Sequence, residues 1–459
     1  MDNFSTLLKK QQFTLLIECL THVEPQPIPQ TLAGYPCAMT LADRVHADDD
    51  PEPLNVAQHY PKHIEKIIHI AGKGRDIQNL QQLLHQAQAK GCNNLLLLTG
   101  DKLKQHQFDA QHRSRYLESV NAVMAAKAQG GFCIGVAFNP FKYRHAEKQA
   151  QYFKLHKKIQ AGADYIISQL GYDLDALKAF KAFMQQHHYS QPVFACVMPL
   201  TLARAKFMRK AKVAGIVITD HMLAVLEQEK QQGLTEHAER RAALQMLICQ
   251  HLGFAGIHLS ACHQVTAQQR LAMYLEEYKM LTLQQCEALW YELWQIKTGH
   301  EFVPDFALSE RRVTAKDYIK YQHLHLMHDA VFTSKLGKSM GRFIFKAGLW
   351  DKKMADRGLL KAELISKHTV VGCESCGECR LGETLYICPE TCPKGLANGP
   401  CGGTEGDRCE FGDRECIHSV KARLAEAVGQ TDILKQVLIP TVPIEVRGTS
   451  SWKNWYLAK

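Results

Sequence analysis

IEKIIHIAGKGRDIQNLQQLLHQAQAKGCNNLLLLTG, residues 64–100, decides the fold class. It opens on an isoleucine-rich apolar run, passes into a segment of helical period that closes on Gly91, and ends on a second apolar run. A short continuous apolar run suits a strand buried on both faces, and the 3.6-residue period suits an amphipathic helix. Glycine then takes the left-handed cap at no Cβ cost. Strand, helix, strand is a βαβ unit, and a crossover of that length makes the two strands parallel.

The same alternation extends from residue 13 to about 260. Strands are expected at residues 13–19 (FTLLIEC), 36–40 (PCAMT), 64–71, 93–100, 132–138 (FCIGVAF), 163–169 (ADYIISQ), 192–198 (PVFACVM), 214–219 (AGIVIT) and 254–260 (FAGIHLS), with helices such as residues 146–162 (AEKQAQYFKLHKKIQAG) between them. Nine runs are one more than a closed eight-stranded barrel holds, so one is an insertion or no strand at all. The expected fold is α/β, a (β/α)8 TIM barrel over residues 1–310. A doubly wound open sheet is the alternative, and no G-x-G-x-x-G follows any strand to support it. In a barrel the carboxyl ends of the strands face the active site. Here Glu18, Thr40, His69, Asp101 and Gln169 stand at those ends.

With 46% hydrophobic and 22% charged residues, the chain has the composition of a folded globular protein. No apolar run approaches the roughly 20 residues that span a bilayer, and MDNFSTLLKKQQF lacks a signal-peptide core, so a cytoplasmic protein is expected. The net charge of +9 comes without a basic run or a nucleic-acid-binding motif, so no nucleic-acid partner is expected. Residues 266–365 read as mainly helical, with a helical connector over 311–365 and a tail over 426–459. Within the connector, SKLGKSMGRFIFKAGLWDKK (334–353) is basic and amphipathic. Such a segment suits a membrane surface or a docking helix between domains, and the second is the expectation.

Residues 366–425 hold a different composition. Eight cysteines, Cys373, Cys376, Cys379, Cys388, Cys392, Cys401, Cys409 and Cys416, follow the spacing C-x2-C-x2-C-x8-C-x3-C-x8-C-x7-C-x6-C. In a reducing compartment such a cluster binds metal and does not form disulfides. Few apolar residues separate the thiols, so ligation must supply much of the folding free energy of this small metal-binding domain. Two [4Fe–4S] clusters, structural zinc sites, or one of each satisfy eight thiolates. Three cysteines at consecutive two-residue gaps, with the later Cys392-Pro393, favour iron–sulfur.

Over nearly all of residues 10–420 the chain resembles 5,10-methylenetetrahydrofolate reductase. LLLLTGD and AGADYIISQ carry the likeness in the barrel; CESCGEC, CPETCPKGLANGPCGG and CEFGDREC resemble the cysteine-rich domain that accompanies that reductase in some bacteria. The resemblance implies hydride transfer from a reduced flavin (FAD, or FMN) to the methylene carbon of the folate. Glu18 would be the acid near N10, its pKa raised by an apolar barrel mouth. Asp101 would bond the pterin and tune the flavin, Gln169 would contact folate, and Thr40 and His69 would lie beside the flavin. Lys157 and Lys158 would bind the flavin phosphate. Electrons would come from NADH or NADPH, or through the clusters from a ferredoxin-like partner, in an oligomeric enzyme. The first strand departs from the family pattern, reading IECLTHVEP, and Gln151 and Lys154 stand where many members carry Asp and Asn for the ribityl chain. A tetrahydrofolate-dependent methyltransferase or demethylase with a structural zinc module is the alternative.

Overall fold

The computed structural model describes residues 4–103, 116–304, 306, 310–346, 350 and 353–457. Its strands are β1 (Thr14–Cys19), β2 (Thr31–Leu32), β3 (Tyr35–Leu41), β4 (Lys66–Ala71), β5 (Asn94–Leu98), β6 (Cys133–Phe138), β7 (Tyr165–Leu170), β8 (Val193–Val197) and β9 (Gly256–Leu259). Parallel pairing runs β1-β9-β8-β7-β6-β5-β4-β3, and β3 returns to β1, so eight strands close a barrel. The two-residue β2 pairs antiparallel with β3 outside that ring.

Eight of the nine expected runs are strands. The exception is AGIVIT, residues 214–219, which is irregular chain between the helices Leu202–Ala211 and Asp220–Gln232. Gly215 takes φ +76°, outside the extended region. The carbonyls of Ala214 and Gly215 accept from the side-chain amides of Gln169 and Asn139 (3.2 and 2.9 Å) instead of from a neighbouring strand.

The helix Ile77–Ala89 starts at a reciprocal cap between Asp76 and Asn79, buries Leu80, Leu84 and Ala87, and is followed by Gly91 at φ +67°. Inside the barrel, side chains two residues apart on a strand share a face. Leu16, Ala38, Ile67, Leu96, Tyr165 and Phe194 form the lower layer, closed from below by Phe4 of the helix Phe4–Lys9. Tyr165 fits because Gly135 faces it; a Cβ there would stand 2.2 Å from the ring. Two residues further along the same strands come Glu18, Thr40, His69 and Cys196, and past Ile167 on β7 comes Gln169. This upper layer is polar.

Beyond the barrel lie the helices Ala315–His328, Lys335–Lys346 and Lys353–Val371. Of the basic segment 334–353, residues 347–349 and 351–352 lie outside the described residues. Its helical part packs on the C-terminal helix Ser451–Leu457 and leaves much of its apolar face open, which differs from the expected docking helix between domains. The cysteine-rich segment holds only short turns until the helix Ile417–Ala427, which packs with the barrel helix His145–Gln160 in one core that includes Ala150, Phe153, Ala422 and Ala425. No helix among the described residues is long and apolar enough to cross a membrane.

Candidate functional site

A cavity of about 390 Å³ sits at the carboxyl ends of the strands. Glu18, His69, Asp101, Gln169 and Lys158 line it from the barrel, and Pro400, Cys401, Gly402 and Gly403 line it from the cysteine-rich module. Glu18 lies half-buried across the β1–β3 pairing from Thr40. The ring of His69 is buried, and its Nε2 has no hydrogen-bond partner among the described residues. Burial, and secondarily the His258 ring 5.8 Å away, hold its pKa down to about 3, so the imidazole is neutral near pH 7. Gln169 is fixed at both ends of its amide: Nε2 donates to the Ala214 carbonyl, and Oε1 accepts from the Leu170 amide at 2.9 Å.

Thr40 is not part of the cavity wall. Its Oγ1 lies 3.0 Å from His258 Nε2, and His258 Nδ1 lies 3.4 Å from Cys196 Sγ, so the hydroxyl is taken up by a buried side-chain contact. His258 and Cys196 line the cavity themselves and were missed in the sequence. His258 was findable, because it faces inward on FAGIHLS as Glu18 does on its strand.

Asp101 opens onto the cavity, but protein surrounds it. That crowding raises its pKa; Lys394 and Lys73 oppose the shift and Glu410 reinforces it. The module supplies the first and last of these neighbours. Lys394 Nζ donates to the Gly100 carbonyl (2.8 Å) and to Glu410 Oε2, whose other oxygen accepts from the Lys102 amide at 2.6 Å. Cys401 Sγ lies 3.3 Å from Glu410 Oε2. Asn139, on the barrel side, donates to the Gly402 carbonyl at 3.1 Å.

The two lysines expected at a flavin phosphate part company. Lys158 lines the cavity and donates to the Ala137 carbonyl, and burial pulls its pKa down to about 7, with Lys154 adding to the shift. Lys157 does not reach the cavity. It is buried with Glu118, Lys154 and Glu383 as its charged neighbours, and burial lowers its pKa to about 8. Lys154 pairs with Glu118 of the barrel at 2.9 Å and donates to the module's Gly399 carbonyl at 3.0 Å. The approach is close: a Cβ on Gly399 would stand 2.7 Å from that of Lys154. The helix face at Lys154, where the resemblance puts the ribityl chain, is therefore filled by the module's own backbone. Gln151, the other position that the resemblance gives to the ribityl chain, lines the cavity, and its Nε2 has no hydrogen-bond partner among the described residues. The cavity falls low in the roughly 300–1,000 Å³ range of small-molecule sites.

All sixteen cysteines are free thiols. In the module they sort by mutual electrostatic influence into two sets, Cys373, Cys376, Cys379 and Cys388, then Cys392, Cys401, Cys409 and Cys416. No group of three or more His, Cys, Asp or Glu side chains among the described residues is arranged to hold a single metal ion. The surrounding charge nevertheless fits an anionic thiolate centre. Lys421 is 1% exposed, its Nζ has no hydrogen-bond partner among the described residues, and the nearby groups that favour its charge are Cys392, Glu118 and Cys388. A buried ammonium without a partner is costly. Thiolates of the second set, once metal displaces their protons, would supply the missing negative charge.

A sequence profile described as Methylenetetrahydrofolate reductase matches residues 43–275, and one described as Methylene-tetrahydrofolate reductase C terminal matches residues 353–442. Methylenetetrahydrofolate reductase 1 of Schizosaccharomyces pombe is 26% identical over 222 residues, which cover 48% of this chain and 36% of that protein. Methylenetetrahydrofolate reductase 2 of Saccharomyces cerevisiae is 26% identical over 171 residues, 36% of this chain and 28% of that protein. The chain thus spans about a third of the length of these curated relatives. A solved structure of an uncharacterized protein from Clostridium thermocellum, which binds two copies of 5-methyl-5,6,7,8-tetrahydrofolic acid, aligns with TM-score 0.42 and 13% identity over 61% of this chain and 99% of that one. The barrel profile alone takes in just over half of the chain and the second covers the module whose loop closes the cavity, so this chain belongs to the methylenetetrahydrofolate reductase family.

Proposed function

We propose that this chain reduces 5,10-methylenetetrahydrofolate to 5-methyltetrahydrofolate, with the pterin in the cavity at the barrel mouth. The observation that carries this reading is the convergence of Glu18, His69, Asp101 and Gln169 on one cavity in a chain of this family. Glu18 gives a proton near N10, the bond from the methylene carbon to N10 breaks, and the N5 iminium that results is the hydride acceptor. A hydride then converts the methylene to a methyl group, and Glu18 regains its proton from solvent. Asp101 and Gln169 hold the pterin edge.

With Lys154 tied to the module, the reductant that this site favours is NADH or NADPH giving hydride directly. The same observation favours one second reading, methyl transfer to or from tetrahydrofolate without any redox carrier. Both are tested on the purified full chain supplied with methylenetetrahydrofolate and either nicotinamide. Methyltetrahydrofolate should form in step with nicotinamide oxidation, and Glu18→Gln should lower kcat by about 10²–10⁴ while folate still binds. An undiminished rate in Glu18→Gln refutes the acid role. The absorption bands of an oxidised flavin in the purified protein would overturn direct transfer, and turnover of methyltetrahydrofolate with an acceptor and no reductant would establish the second reading.

A further inference from the structure

The helix Lys335–Lys346, KLGKSMGRFIFK, is covered on only part of its apolar side. Gly341 and Phe345, four residues apart, meet the C-terminal helix: a Cβ on Gly341 would stand 2.2 Å from the Tyr456 ring, and Phe345 stacks on that ring at 5.5 Å. The rest of the apolar arc faces solvent, with Leu336 72% exposed, Met340 56% and Phe343 84%. Leu336 and Met340 continue into a groove of about 710 Å³ whose lining includes Met327, Val331, Ile344 and Val370, each more than two-fifths exposed. Side chains this apolar and this contiguous exceed the scattered exposure of an ordinary surface.

The opposite arc of the same helix carries Lys335, Lys338, Arg342 and Lys346, all exposed, and the helix has no acidic residue. None of the four is in an ion pair among the described residues. An apolar arc backed by a face of cations, without acids, is the pattern of a helix lying in the plane of a lipid–water interface. A second copy of this chain fits less well. A two-fold contact through the apolar arc would leave the four cations, on the opposite arc, without acidic partners on this helix.

We propose that this face of the connector docks on an anionic lipid surface, with Phe343, Leu336 and Met340 entering the acyl boundary and the four basic side chains meeting lipid phosphates. The contact is peripheral and leaves the barrel mouth outside the bilayer.

The test is co-sedimentation of the full chain with vesicles of phosphatidylcholine and of an equal mixture of phosphatidylcholine and phosphatidylglycerol, at low and high salt. Binding should require the anionic lipid and weaken with salt. Phe343→Asp should weaken it by more than about tenfold, from the loss of one buried phenyl ring. Lys338→Gln with Arg342→Gln should erase the preference for anionic vesicles. All three positions are exposed, and circular dichroism confirms that the variants fold. The proposal falls if the wild type stays in the supernatant with anionic vesicles or if Phe343→Asp binds as well as wild type. It falls equally if the protein forms a dimer that Phe343→Asp dissolves.

Discussion

Replacing Glu118 by Gln should undock the loop that closes the cavity. Glu118 is 6% exposed; it pairs with Lys154 at 2.9 Å and accepts from the amide of Ala397 (3.1 Å), the amide of Asn398 (3.0 Å) and Asn398 Nδ2 (3.1 Å). Asn398 passes the constraint on, exchanging two 2.8 Å bonds with the backbone of Ile439. Burial works to raise the Glu118 pKa, but Lys154 and Asn398 outweigh it and the net shift is downward. Glutamine keeps the shape and one acceptor oxygen but leaves the Lys154 ammonium, 1% exposed, without its counter-charge. Breaking a buried pair in this way costs about 3–5 kcal/mol. The surviving bond to Gly399 places the cost near the lower bound, about 3 kcal/mol, or about two orders of magnitude in local opening. Hydrogen exchange at the Ala397 and Asn398 amides reads it directly. Exchange unchanged to within about threefold would refute the reasoning, since it would put the pair below about 1 kcal/mol. Removing both charges with Glu118→Gln and Lys154→Met should restore most of the protection. Because the folded carboxyl has the lower pKa, its stabilisation is complete above the unfolded value, near 4.3, and is lost as pH falls through the folded one. The wild type's advantage over Glu118→Gln should therefore persist on acidification until below the ordinary carboxylate range.

His69, with a folded pKa of about 3 against about 6.5 unfolded, takes up its proton first in the unfolded chain, so it costs stability increasingly as pH drops from about 6.5 to about 3. A His69→Asn variant should show a flatter acid limb in urea titrations at stepped pH. Phe4→Ala should cost about 3–5 kcal/mol in chemical denaturation, because Phe4 is fully buried and meets the Tyr165 ring edge-on at 5.2 Å; a loss under about 1 kcal/mol would mean that it does not plug the barrel. Stripping metal with a chelator should expose residues 373–416 to protease before the barrel is cut, and metal analysis should show thiol-bound zinc or iron lost in parallel; a module equally resistant without metal would show that ligation does not hold it.

The barrel was legible because its strands are buried on both faces and so read as continuous apolar runs. AGIVIT reads the same way, and nothing local distinguishes it. What keeps it from pairing is the capture of two carbonyls by Gln169 and Asn139, side chains 45 and 76 residues away. In the site, strand-end position located Glu18, His69, Asp101 and Gln169, because a barrel aims such residues at one mouth. It could not exclude Thr40, which stands level with Glu18 but spends its hydroxyl on His258. Nor could it separate Lys157 from Lys158. Consecutive helix residues point about 100° apart, so only one of the two can face the cavity. Lys394 and Glu410 had no local signal, since their place beside Asp101 arises only when the module docks.

That docking explains why the cysteine-rich segment and the barrel share one chain. Cys401 lies in the stretch that walls the cavity, its thiol touches Glu410, and Glu410 holds Lys394, which lowers the pKa of Asp101. Three of the four links in that sequence belong to the module, and the thiol that begins it is one of the eight expected metal ligands. Whatever orders the second thiol set therefore also orders one wall of the cavity and sets the charge beside Asp101. A barrel without its module would lose that wall, one of the two cations that oppose Asp101's desolvation, and the Gly399 carbonyl that Lys154 donates to. Because the cavity wall, the Lys394–Glu410 pair and Cys401 all lie within residues 394–410, ordering that stretch and completing the cavity are a single structural event.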